Sequence, residues 1–72
     1  MKIVEYRLTA VVEDEYATDT RVATNFVAPE MKGKALLLYA KMYARWYYGV
    51  TATITAVEKI AVIGFIEGGE DD

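Results

Sequence analysis

The chain is 72 residues long with a formal charge of −3, and it contains no histidine, cysteine or serine. Disulfides, the usual zinc sites and the nucleophiles and bases of the common catalytic triads are thereby excluded, so catalysis is not expected. A domain this short buries only about 60% of the surface its unfolded chain exposes, and with disulfides and zinc gone, oligomerisation is the remaining route to extra stability.

Residues 2–13 alternate, with Val4, Tyr6, Leu8, Ala10 and Val12 on one parity and Glu5, Arg7, Thr9 and Glu13 on the other. This is the pattern of a half-buried strand. Residues 13–19 hold four carboxylates and read as a hairpin loop, after which 20–28 alternate again as a second, antiparallel strand. Pro29 and Glu30 read as a helix start, because proline at the first position loses no needed donor and a carboxylate there meets the positive end of the dipole. The helix is expected to end at Tyr48, with Gly49 as the terminating left-handed residue. Gly33 in the first turn suggests fraying or a close backbone approach.

Residues 50–57 alternate as a third strand, while 60–66 are apolar on both parities. Glu58-Lys59 is a poor two-residue turn, so one long, bent strand is favoured over a fourth strand. Residues 68–72 read as a disordered acidic tail, leaving 1–67 as one domain. The expected fold is α+β: a three-stranded antiparallel sheet in β-β-α-β order with one helix on one face. A helix of about 19 residues and a nine-residue strand would match in length, at roughly 28 Å each.

On a helical wheel the apolar arc from Leu38 round to Tyr48 is far wider than one sheet face needs. Only Lys34, Lys41 and Arg45 form a polar stripe. Half of the arc covers this chain's sheet and the rest wants a partner. The candidate interface is Leu37, Ala40, Ala44, Tyr47 and Tyr48, with Ile63 and Phe65 joining through the odd positions Val57, Ala61, Ile63 and Phe65. A homo-oligomer is expected, a dimer before larger assemblies, with another protein as the alternative partner. Two consequences are that Ala44→Glu dissociates the oligomer without unfolding the chain, and that Trp46 is buried, costing about 3 to 5 kcal/mol on truncation.

Lys34, Lys41, Arg45 and Tyr48, with Tyr43, Trp46 and Tyr47 nearby, form a second candidate surface on which cations meet phosphates while rings stack on bases. Residues 29–48 carry +3 and the remainder of the chain −6, so most of the molecule would repel a polyanion. Nucleic-acid binding therefore ranks below protein interaction. The acidic loop lacks the spacing and glycine of a calcium loop, and Gly33-Lys34 lacks the rest of a phosphate-binding loop, so neither a metal nor a cofactor is expected. The threonines 51, 53 and 55 are explained by strand propensity.

The first five residues contain no apolar core of a signal peptide, and 35–48 is interrupted by Lys41 and Arg45 and too short to span a bilayer. A cytoplasmic, membrane-free protein is expected. The layout of strand, acidic turn, strand, an Ala28-Pro29-Glu30 helix start and closing strand is similar to that of small proteins from phages and mobile elements. That likeness assigns no residue a role. The sequence-based expectation is a small non-catalytic protein-interaction or inhibitory module.

Overall fold

The computed structural model describes residues 1–67. Strand β1 (Lys2–Glu13), strand β2 (Asp19–Pro29), helix α1 (Gly33–Tyr48) and strand β3 (Ala52–Phe65) follow in the expected β-β-α-β order. The sheet is antiparallel with strand order β2-β1-β3, so β1 is central and the other two strands are edges. The tail expected at 68–72 lies outside the described residues.

β1 and β2 behave as their alternation dictates. Eleven consecutive pairs, from Ile3 opposite Pro29 to Glu13 opposite Asp19, run without a register shift. The hairpin between them is closed by Asp14, whose carboxylate accepts the backbone N–H groups of Tyr16 at 2.8 Å and Thr18 at 2.9 Å. An aspartate that bonds its own backbone in this way competes for donors that would otherwise face water.

The helix begins later than Pro29 implies. Pro29 ends β2 instead, and the backbone stays extended through Lys32. Two tertiary contacts hold it so: the Tyr6 hydroxyl accepts the Met31 N–H at 2.9 Å, and Glu30 pairs with Lys59 on β3 at 2.8 Å. Neither partner is visible from local sequence. No carboxylate remains in the first turn of α1, and Gly33 is required by its φ of +58° rather than by crowding, since nothing lies within 4 Å of where its Cβ would be. The other end matches expectation, with Gly49 at φ +105° and its N–H bonded to the Arg45 carbonyl.

The lengths do not match as anticipated. The 16 residues of α1 span about 24 Å. The 14 residues of β3 reach about 46 Å. The helix therefore covers only part of a sheet in a molecule 51 Å long and 18 Å across.

β3 is one long strand, as favoured over a hairpin, but it is irregular. Its register against β1 shifts between Ile3 and Val4, between Glu5 and Tyr6, and between Thr9 and Ala10. Thr55, Ile60 and Ile63 are left without a facing residue, as bulges require. At the first, the Thr55 hydroxyl donates to the Thr9 carbonyl at 3.2 Å. The bulges also cancel the expected parity: Val57 faces Leu8 on the helix side, whereas Ala61 faces Glu5 on the other side. Residues 57, 61, 63 and 65 do not share a face.

The core lies between the helix and the even side chains of β1. Val4, Tyr6 and Leu8 are buried in one cluster with Phe26 and Ala28 of β2 and Ala40 and Ala44 of α1, and Ala10 is buried as well. Four of these eight are alanines, so little apolar volume is enclosed.

Candidate interaction surface

Ala40 and Ala44 stand four residues apart, one helical turn, and are the fully buried residues of α1. Two small side chains on one stripe let a helix approach a sheet closely, and they fix which way everything else on the helix points. Opposite them lie Leu38, Met42 and Trp46, which are 61%, 65% and 78% exposed. The Lys34, Lys41 and Arg45 stripe runs beside this apolar ridge, and all three cations are exposed.

The expected interface residues consequently scatter. Ala40 and Ala44 belong to the chain's own core and are inaccessible to a partner. Leu37 lies beside Lys41 over a shallow groove against Ala52, Thr53 and Ile54 of β3. Tyr47 is exposed and Tyr48 half-buried at the helix end, while exposed Ile63 and Phe65 sit at the far end of β3. The expectation that Trp46 is buried is overturned by its 78% exposure, and Ala44→Glu is no longer a neutral probe of assembly. What sequence reasoning missed is the ridge of Leu38, Met42 and Trp46. The signal was the pair of alanines, whose size marks the seat of the helix rather than its free face.

The helix is not centred on the sheet. Its backbone comes close to β3 and β1 and nowhere close to β2. Aromatic side chains reach across to β2: Phe26, which also stacks on Tyr6 of β1 at 5.4 Å, stacks on Tyr43 at 5.2 Å and on Tyr39 at 5.6 Å, and Tyr48 shares a side-chain hydrogen bond with Thr24. The row continues from Tyr43 to Trp46 at 5.7 Å and to Tyr47 at 5.8 Å. Tyr39, Met42, Tyr43 and Trp46 line an open, apolar groove of about 270 Å³. Burial, with the neighbouring Tyr47 and Tyr43 adding to it, pushes the Tyr48 phenol above its ordinary range.

The hydrogen-bonded polar groups lie apart from this surface. Glu30 is held below the usual carboxylate range and Lys59 above the usual amine range because each hydrogen-bonds the other. The sheet face away from the helix carries a chain from Arg7 to Asn25 to Glu5, with the Arg7 Nε donating at 3.3 Å and the Asn25 amide donating at 2.9 Å. Among the described residues no three acidic side chains come together to hold a metal ion. Nor is any helix among them long and apolar enough to cross a membrane. Comparison with protein-family models, with curated proteins and with solved structures gives no match to this chain.

Proposed function

We propose that this chain is a non-catalytic protein-interaction module that first associates with a second copy of itself. The observation that carries this reading is the inversion of its apolar residues. Eight side chains are buried, half of them alanine, whereas fifteen large hydrophobic residues are exposed among the described residues. Scattered exposed apolar residues need no explanation, but a contiguous ridge on one helix marks a contact surface. A chain of this size with so thin a core gains most from covering that ridge. Among the described residues, the groove beside the aromatic row is lined by Tyr39, Met42, Tyr43 and Trp46, a lining suited to apolar contact.

The test is the mass of the protein in solution across the micromolar range, by sedimentation equilibrium, for the parent chain and for Trp46→Glu. Because Trp46 is solvent-exposed, its replacement leaves the helical and strand signals in place and shifts a dimer to a monomer. A parent that stays monomeric throughout would sink the reading. Exposure of Trp46 beside Arg45 also suits base stacking, so the same samples are titrated with a fluorescent single-stranded oligonucleotide. Salt-sensitive binding by a monomeric parent, lost in Trp46→Glu, replaces self-association with nucleic-acid recognition.

A further inference from the structure

We propose that the second copy docks edge to edge through β2, antiparallel about a two-fold axis near Thr24, joining two three-stranded sheets into one six-stranded sheet. This rests on the self-association reading and specifies its geometry.

β2 is an edge strand of eleven residues with no register break, so a regular row of its backbone N–H and C=O groups points away from β1. The opposite edge, β3, carries three register shifts, which is how natural sheets prevent such pairing. The off-centre helix completes the arrangement. With strands about 4.8 Å apart and the helix lying over β1 and β3, pairing β2 with its twin sets the two helix axes about four strand spacings, roughly 19 Å, apart across the join. Helices that pack directly lie about 8–10 Å apart, so a gap of roughly 10 Å remains to be filled by side chains. Tyr39 and Tyr43 stack on Phe26 of β2, and Trp46 extends that row from Tyr43 and lines the same groove, so two facing rows of such rings fill a space that alanines or valines would leave empty.

Charge chooses the antiparallel arrangement. Glu13, Asp14, Glu15 and Asp19 cluster at the start of β2, whereas Lys32 and Lys34 follow its end. Antiparallel pairing brings each acidic hairpin to the partner's lysines, while parallel pairing would stack like on like. The area also suffices. Tyr39, Trp46 and Tyr47, at 39%, 78% and 54% exposure, offer on the order of 400 Å² of mostly apolar surface. The paired edge supplies the rest of the roughly 800 Å² per partner that a stable interface buries.

The absence of native cysteine makes a thiol scan unambiguous. Single cysteines are placed at Val22, Ala23, Thr24 and Asn25 on β2, and at Ala56 and Ala61 on β3, in the full chain under mild oxidation. Facing residues across an antiparallel pair have Cβ atoms about 4.5–5.5 Å apart, within small adjustment of disulfide geometry. Thr24→Cys or an immediate neighbour is expected to form a covalent dimer roughly a hundredfold faster than either β3 variant, since opposed thiols meet at millimolar effective concentration. A parent of dimeric mass whose β2 cysteines stay free, or whose β3 cysteines link first, overturns the β2 edge while leaving self-association standing. A parent of monomeric mass overturns both.

Discussion

Along β2, eleven pairs with the central strand run without interruption, whereas β3 breaks register with the same strand three times. The composition of the two edges explains why they differ. β3 is apolar on both parities from Ile60 to Phe65, and a straight strand of that kind is a template for indiscriminate pairing. Its bulges twist it away from that role, and the helix backbone lies close beside it. β2 alternates polar and apolar residues, carries Asp19, Arg21 and Asn25, and has no helix backbone near it. One edge is kept shut by irregularity, and the other is left regular beside a row of rings. The difference teaches that two exposed edges of one sheet can differ in regularity, and the proposed pairing depends on that regularity.

The seat of the helix decides this asymmetry, so displacing it has the largest effect. Ala44→Glu forces a carboxylate into a site that is 1% exposed, with no cation beside it in the core. The expected cost is about 4 kcal/mol or more, comparable with the entire stability of a chain this short, so the far-ultraviolet circular dichroism melt should collapse. A parent-like melt would mean that the helix sits elsewhere. Next in size is Phe26→Ala, which removes the side chain that ties β2 to the rings of α1. A loss of about 3 kcal/mol is expected in urea denaturation. A loss under about 1 kcal/mol would show that the aromatic row contributes little to the stability of the single chain.

The smallest effect concerns the brace between the two edges, Glu30 after β2 and Lys59 on β3, which reach across Tyr6. Glu30 is depressed by its hydrogen bond to Lys59, so its contribution is present above the ordinary carboxylate range and fades as pH falls through its lower folded value. Lys59 is raised by the same bond, so its contribution is present below the ordinary amine range and fades as pH rises through its higher folded value. The pair is exposed, and a small change is expected. Melts of the parent and Glu30→Gln across pH should differ at neutrality and converge at the acid extreme. Curves that stay parallel to the acid limit would remove the brace from the account.

Much of this architecture was legible in the residues. The strict alternation of 2–13 fixes β1 and its buried parity, and Gly49 marks the helix end, because both signals are local. The helix start was not legible, since Pro29 suits the end of a strand as well as the first turn of a helix. The choice falls to Tyr6 and Lys59, 23 and 30 residues away in sequence. The facing of the helix was half legible: the apolar arc announced a surplus, but its width hid the direction, which packing volume settles in favour of Ala40 and Ala44. The bulges of β3 were hidden because a strand apolar on both faces gives the same pattern in any register.

The central position of β1 also shapes how the chain comes to be folded. Its pairing with β2 closes across a five-residue turn, whereas its pairing with β3 brings Lys2 to Phe65 and closes almost the whole described chain. Short closures are fast and long ones slow, so the β1–β2 hairpin precedes the third strand. Until β3 arrives, the inner strand is bare along one side and presents a second free edge. A hairpin with its inner strand bare on one side is the form in which a sheet of this order is expected to be most prone to aggregate, and refolding yield measured against chain concentration checks it.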